Sequence, residues 1–292
     1  FGGMNLGGWL NRLSYWPMIY STNMYAGIVN DFRVKGLGLR PRARLANPLI
    51  DAAGNPIPML YPYSPHLLPA PADYPPHVHV TGYWFLDQGN QWQPPAALAA
   101  FLDAGPPPVY VGFGSMGGAK AAERAEIVLG ALGRAGQRGL LASGWGGLQP
   151  SNTPESIHLI ESAPHDWLFP QVAAVVHHGG AGTTAAGLRA GKPTVICPFI
   201  ADQPFWGRVI HKQGLGPRPI PQRTLTVDGL AAAIMAAVGE PAIARRAAAM
   251  GEQIRAEDGL ANAVEIIERI GQRETARRAR KAHTEPAVAV SQ

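Results

Sequence analysis

Val175-Val176-His177-His178-Gly179-Gly180-Ala181-Gly182-Thr183-Thr184-Ala185-Ala186 is the stretch on which the fold turns. An apolar run over residues 173–176 reads as a buried strand that leads into two histidines. A glycine-rich turn follows, and then a small-residue helix that runs through Leu188. Glycine lets the backbone come close to a ligand, and a helix start offers unpaired N–H groups at the positive end of a dipole. Thr183 and Thr184 add hydroxyls at that same helix start. Glycines alone would fit a tight turn needed only for steric reasons. With histidines before them and threonines after, the stretch reads as a site for a phosphate or diphosphate.

Outward from this stretch the pattern is a βαβ repetition. Strands are expected at residues 109–113, 139–142, 156–160, 173–176 and 194–197, and helices at 120–135 and 204–212. Helices at 227–238, 241–255 and 260–270 close the unit, with Leu230, Ile234 and Val238 as one apolar stripe and Val264, Ile267 and Ile270 as another. Alternation of this kind predicts an α/β fold with a parallel sheet covered on both faces. Ligands then bind beyond the carboxyl ends of the strands, where the glycine turns lie.

Three further segments fall at such strand ends. Gly112-Phe113-Gly114-Ser115-Met116-Gly117 fits GxGxxG, but the next strand ends Leu140-Leu141-Ala142-Ser143-Gly144-Trp145 without a carboxylate for a ribose, which argues against a dinucleotide oxidoreductase. It leaves a close-approach turn that carries Ser115 toward a ligand. Ser162-Ala163-Pro164-His165-Asp166-Trp167-Leu168-Phe169 is turn-rich, with Trp167 and Phe169 better suited to the core than to base stacking and His165 open to either role. In Phe199-Ile200-Ala201-Asp202-Gln203-Pro204, Asp202 fits a helix cap as well as it fits a carboxylate beside an amide that recognises vicinal sugar hydroxyls. No Asp-x-Asp pair occurs, and no His/Glu spacing suits a metal, so a bound diphosphate would be met by helix dipole, backbone N–H groups and His178.

The amino-terminal part is less regular. Trp9, Leu10, Leu13, Trp16, Ile19, Tyr20, Tyr25, Ile28 and Val29 recur at helical spacing, which predicts one or two helices packed on an apolar surface. Residues 47–76 are proline-rich, 78–85 alternate like a strand, and 86–107 read as a Gly/Pro-rich linker around a short helix. At 292 residues with 46% hydrophobic and 15% charged side chains, the chain has material for a sizeable core. The net charge of +5 is concentrated in Arg273, Arg277, Arg278, Arg280 and Lys281. Without interleaved aromatics this basic tail gives no support to nucleic-acid binding; a solvated terminus, or peripheral contact with an anionic membrane, fits it better. One cysteine, Cys197, excludes an internal disulfide and a cysteine-rich metal site and suits a reducing, cytoplasmic setting. The start Phe1-Gly2-Gly3 reads as a fragment that begins inside a larger protein.

In their order along the chain, Gly112-Phe113-Gly114-Ser115, Ser143-Gly144-Trp145, Ala163-Pro164-His165-Asp166-Trp167-Leu168-Phe169, His178-Gly179-Gly180-Ala181-Gly182-Thr183-Thr184 and Asp202-Gln203-Pro204-Phe205-Trp206-Gly207 resemble the C-terminal domain of GT-B nucleotide-sugar glycosyltransferases. The nearest resemblance is to the sterol glucosyltransferase-like and glycopeptide- or macrolide-antibiotic glycosyltransferases. It implies a C-terminal Rossmann-like donor domain at 108–271, preceded by a remnant of the acceptor domain at 1–85 and the linker 86–107, and followed by a flexible basic tail at 272–292. It implies that Ser115, His178, Gly180, Gly182, Thr183 and Thr184 hold the donor diphosphate and that Asp202 and Gln203 contact the hexose. Ser143, Trp145, His165, Trp167 and Leu168 would line the nucleoside pocket, the segment around His165 and Trp167 through its backbone. Two positions depart from related plant enzymes: Ser162 stands where those stack a tryptophan, and Ala186 where they hold the ribose with glutamate. The implied activity is inverting, metal-independent transfer of a hexose from a UDP- or dTDP-sugar to a lipophilic acceptor, with no cofactor and with the catalytic base in the missing amino-terminal part. A donor-binding fragment inactive on its own, or a UDP-sugar epimerase of the same fold, are the alternatives.

Overall fold

The computed structural model describes residues 7–13, 16–43, 47, 49–51, 54–114, 120–143, 148, 150 and 152–284. The chain forms two compact units, one of residues 1–59 with 74–79 and the other of 60–73 with 80–292. In the first unit α1 (Gly8–Leu13), α2 (Trp16–Met24) and α3 (Ala26–Asp31) lead into a π-helical turn at Phe32–Gly36. The helices form where helical spacing places them, but Trp9, Trp16, Tyr20, Ile28 and Phe32 all stand more than 60% exposed, so their expected apolar partner is not among the described residues. β1 (Met59–Tyr61) and β2 (Val78–Val80) pair as a two-stranded sheet.

The second unit is built on five parallel strands, β3 (Val109–Gly112), β4 (Gly139–Ala142), β5 (Ile157–Ile160), β6 (Ala174–His177) and β7 (Thr194–Ile196), in the order β5-β4-β3-β6-β7. Their near-continuous apolar sequences follow from burial on both faces. Register pairs Val109 with Ala174, Tyr110 with Val175 and Gly112 with His177. Val109, Val111, Ala174 and Val176 therefore point to one face, where α5 (Ala121–Arg134) and α9 (Val227–Gly239) complete the core. Tyr110, Leu140 and Val175 point to the other, against Leu98 of α4 (Ala96–Asp103) and Leu168 and Phe169 at α6 (His165–Leu168). α7 (Ala181–Arg189), α8 (Gln203–Lys212) and α10 (Pro241–Ala256) enclose a further cluster around Leu188, Ile196, Ile210 and Ile254. α9 opens on Thr226, whose hydroxyl accepts the Gly229 N–H at 3.1 Å. Cys197, directly after β7, is fully buried in the α5–α9 face, and burial pushes its thiol up to about 12. Among the described residues no single helix is long and apolar enough to cross a membrane; a run from α9 onward reaches that length only across a 67° bend.

Two expectations change. The strand expected over 78–85 pairs only as far as Val80, because the chain is then drawn onto the junction of α10 with α11 (Gly259–Thr284). Asn262 donates to the Thr81 carbonyl at 3.0 Å, Trp84 donates to the Thr81 hydroxyl at 2.9 Å, and Ser64 donates to Glu257. Residues 60–73 and 80–107 thereby fall in the same compact unit as the sheet. The helix expected over 260–270 extends as α11 to Thr284, as the Ala, Arg, Glu and Lys content beyond residue 270 favours. On that helix the stripe of Val264 and Ile267 is about half exposed, with Leu260 beside it.

Two outcomes test this packing. A Cβ on Gly259 would lie 2.4 Å from the Tyr83 carbonyl oxygen and 2.5 Å from the Gly82 carbonyl carbon, both rigid backbone. Gly259→Ala should cost about 1–3 kcal/mol in chemical denaturation; an unchanged midpoint would disprove the close approach. The second concerns His177, fully buried at the end of β6, where Nδ1 accepts the Gly179 N–H at 3.0 Å and Nε2 has no partner. Burial first, and then His178 and His165, lower its pKa to about 3. The unfolded chain binds this proton more readily, so stability present above pH 6.5 is lost progressively as the pH falls toward 3. His177→Asn keeps an acceptor for Gly179 and removes the titration; it should melt lower at pH 7 but lose less stability from pH 6.5 to 4 than the unchanged chain.

Candidate functional site

Strand order reverses between β3 and β6, since β4 lies on one side of β3 and β7 on the far side of β6. That switch point leaves a crevice beyond the carboxyl ends of β3 and β6, the usual ligand position in an open parallel sheet. The Gly112–Gly114 turn and the stretch from His178 to Thr183 border it.

Gly180 is the N-cap of α7, and no side chain caps it. The N–H groups of Ala181, Gly182 and Thr183 have no intrahelical acceptor, and Ala181 and Gly182 are exposed. The His178 ring lies over this opening. Its Cε1 is 3.4 Å, and its Nε2 2.6 Å, from where side chains on Gly114 and Gly180 would begin, so the ring fits only because Gly180 has none. Nδ1 of His178 is buried without a partner, which leaves Nε2 as the ring nitrogen that faces the helix start. Burial holds its pKa below the usual histidine value, with a smaller opposing pull from Asp202. At neutral pH the grip is therefore an uncharged ring, three N–H groups and a helix dipole, a set suited to diphosphate oxygens.

The other residues singled out from the sequence divide. Thr183 sits half-buried in the first turn of α7, but the Thr184 hydroxyl is buried and donates back to the Gly180 carbonyl at 2.9 Å. It closes the turn and does not face the crevice. Asp202 precedes α8 without capping it; its Oδ2 accepts the Trp206 indole N–H at 2.9 Å while the residue stays exposed. Gln203 is buried, and its Oε1 accepts the N–H groups of Phe199 and Ile200 at 2.8 and 3.2 Å, which shapes the loop after β7. Ser115 and Trp145 lie outside the described residues.

The nucleoside set is only partly brought together. A cavity of about 760 Å³ is lined by Ala163, Pro164 and His165 at the α6 start, by Ala186, Arg189 and Ala190 on α7, and by Trp84 to Gln88 of the connecting segment. His165 stacks on Phe169 with ring centroids 4.2 Å apart, and burial lowers its pKa, opposed in part by Asp166. Leu168 is fully buried and belongs to the core, as does Trp167, whose ring meets Trp92 edge-on at 4.8 Å. The Ser143 hydroxyl donates to the Ile160 carbonyl at 3.1 Å and ties β4 to β5. None of these three lines the cavity. Asp87 and Arg189 do, and no local sequence signal marks them, because they are 102 residues apart and meet only through the fold. Among the described residues, no group of three or more His, Cys, Asp or Glu side chains could hold a metal.

Residues 146–270 match the model of the erythromycin biosynthesis protein CIII-like C-terminal domain. A sterol 3-beta-glucosyltransferase of Arabidopsis thaliana is 43% identical over 260 residues, which cover 88% of this chain and 40% of the relative. The O-mycaminosyltylonolide 6-deoxyallosyltransferase of Streptomyces fradiae is 41% identical over 260 residues, 88% of this chain and 60% of that protein. The chain thus spans less than two thirds of these curated relatives. Among solved structures, the glycotransferase of kitacinnamycin superposes with a TM-score of 0.64 at 21% identity, over 89% of this chain and 66% of the other. A spinosyn rhamnosyltransferase gives 0.57 at 21% identity over 73% and 57%. These likenesses agree with the motif order and with the switch-point crevice: over the part it spans, the chain is similar to sterol glucosyltransferases and macrolide-antibiotic glycosyltransferases, and it has the GT-B fold.

Proposed function

We propose that this chain is the donor-binding part of an inverting, metal-independent hexosyltransferase. It would take a UDP- or dTDP-sugar as donor and serve a lipophilic hydroxyl acceptor of the sterol or macrolide kind for which its relatives are named. The observation that carries this reading is the uncapped start of α7 with Nε2 of His178 laid over Gly180 at the switch point.

The chemistry follows from that placement. The acceptor oxygen gives its proton to a base and attacks the anomeric carbon from the face opposite the leaving group. As the new C–O bond forms, the bond to the diphosphate breaks and its electron pair passes to the diphosphate oxygen. N–H groups of Ala181 to Thr183 and the His178 ring stabilise that growing charge, as an oxyanion hole would. Fixed dipoles do here what a divalent cation does in metal-dependent transferases. The free edge of the Asp202 carboxylate is the group available for hexose hydroxyls. Gln203 contributes through its amide Nε2, since its carbonyl oxygen is already engaged by the loop.

Calorimetry on the 292-residue chain tests the reading. UDP-glucose or UDP should bind, and binding should survive excess EDTA. His178→Ala should weaken it about tenfold while leaving the melting temperature nearly unchanged, the loss of one hydrogen bond to a charged group. A bound diphosphate favours the protonated ring, so the His178 pKa rises on binding. Affinity for UDP-glucose, whose diphosphate does not titrate in this range, should therefore increase from pH 8 to pH 6. The variant should show a flatter profile. Absence of nucleotide binding, or binding indifferent to His178, would overturn the assignment.

A further inference from the structure

We propose that Asp87, held in place by Arg189, reads the cis-diol of the donor's ribose, which makes the donor a ribonucleoside diphosphate sugar and not a 2′-deoxy one. This rests on the donor-site reading above and adds to it the sugar of the nucleotide.

Position comes first. α7 rises about 1.5 Å per residue, so Ala186 lies some 7–8 Å along the helix from the diphosphate grip, and Arg189 one turn further. Both line the cavity that His165 and Pro164 close from the α6 side and Asp87 closes from the connecting segment. A nucleoside whose diphosphate sits at the α7 start has this cavity before it.

Orientation comes next. The Arg189 guanidinium engages both carboxylate oxygens of Asp87, with Nη2 to Oδ2 at 2.8 Å and Nη1 paired to Oδ1. The guanidinium is itself fixed, because it lies over the Phe85 ring at 4.4 Å, and Arg255 donates to the Arg189 carbonyl at 2.5 Å. The segment that bears Asp87 is pinned on both sides. Upstream, Thr81 is tied to α11 by Asn262. Downstream, the Asp166 carboxylate accepts the N–H groups of Gln88 and Gly89 at 3.0 and 2.7 Å. Asp87 is thus a preset group on a fixed wall.

The partner follows from the chemistry. An ionised carboxylate only accepts hydrogen bonds and has about four lone-pair directions, of which Arg189 uses two. Arg189 holds Asp87 ionised by pulling its pKa down. About half of the Asp87 side chain remains accessible. A second anion is excluded by charge, and the guanidinium is already occupied, so the pair does not suit phosphate. Two oxygens with free lone pairs side by side match two hydroxyls on adjacent carbons. On a nucleotide that is the 2′,3′-diol, which a 2′-deoxyribose lacks. On α7 itself no carboxylate is offered, since Ala186 faces the cavity. The fold supplies one from the opposite wall.

The experiment compares UDP with 2′-deoxy-UDP on the 292-residue chain by calorimetry, then repeats both on Asp87→Asn. UDP should bind at least tenfold more tightly than 2′-deoxy-UDP, the effect of a hydrogen bond to a charged acceptor. In Asp87→Asn most of the preference for UDP should disappear: UDP loses the contacts of both hydroxyls, whereas 2′-deoxy-UDP loses only that of its 3′-hydroxyl and weakens less. A role confined to pinning the segment would weaken both ligands alike. Equal binding of the two by the unchanged chain overturns the proposal without any variant, and so does a preference that survives in Asp87→Asn. If neither nucleotide binds, the donor-site reading fails and takes this inference with it.

Discussion

The pairing of β3 with β6 is the constraint on which the site depends. With Gly112 opposite His177, the two glycine turns leave the sheet side by side while their outer neighbours lead away in opposite directions. The chain must then enter α7 through a gap between β7 and α8. Gly179 does this at φ +94°, and a side chain there would begin 2.7 Å from Ile196 and 3.2 Å from the Gln203 carbonyl. Core packing thus sets the path of the turn, and the turn sets the His178 ring over the helix start. The geometry of the candidate site is set by the hydrophobic core.

That geometry has an electrostatic side. Burial lowers the pKa values of His165, His177 and His178 and so favours their neutral forms, leaving the helix start to offer dipoles rather than histidine cations. A cationic site would carry a desolvation cost in the free protein, whereas N–H groups at a helix start keep water until an anion replaces it. Among the described residues Asp202 is the carboxylate that acts on His178, and Trp206 holds one of its oxygens. The grip is modest in charge and exact in direction, which suits a ligand that must also leave.

Much of this was legible in the sequence. Strands buried on both faces announce themselves as apolar runs between glycine turns, and α5, α9 and α10 follow helical spacing within a residue or two of expectation. His178 and Gly180 were legible for the same local reason: the strand, turn and helix that place them are contiguous. What was not legible involves competition or distance. Thr184 could face a ligand or bond back to the turn, and the i−4 carbonyl won. Asp202 could cap α8 or meet Trp206 one turn on, and the indole won. Spacing along the chain also does not say that the side chains of Ser143, Trp167 and Leu168 are engaged by neighbouring strands and rings. Asp87 and Arg189 leave no periodic trace, since only the return of the chain across α7 brings them together. Helical spacing marks the Val264 and Ile267 stripe without saying whether anything covers it.

Cys197 turns this architecture into an instrument. Only a thiolate alkylates readily, and here the thiol is both sealed from solvent and shifted to about 12. Its own N–H is bonded to the His177 carbonyl, so it sits on the seam between β6 and β7, next to the turn that makes the crevice. A chain with a single sulfhydryl carries its own reporter. The rate at which that sulfur is modified measures how often the seam opens, without a label, a cofactor or an added probe residue.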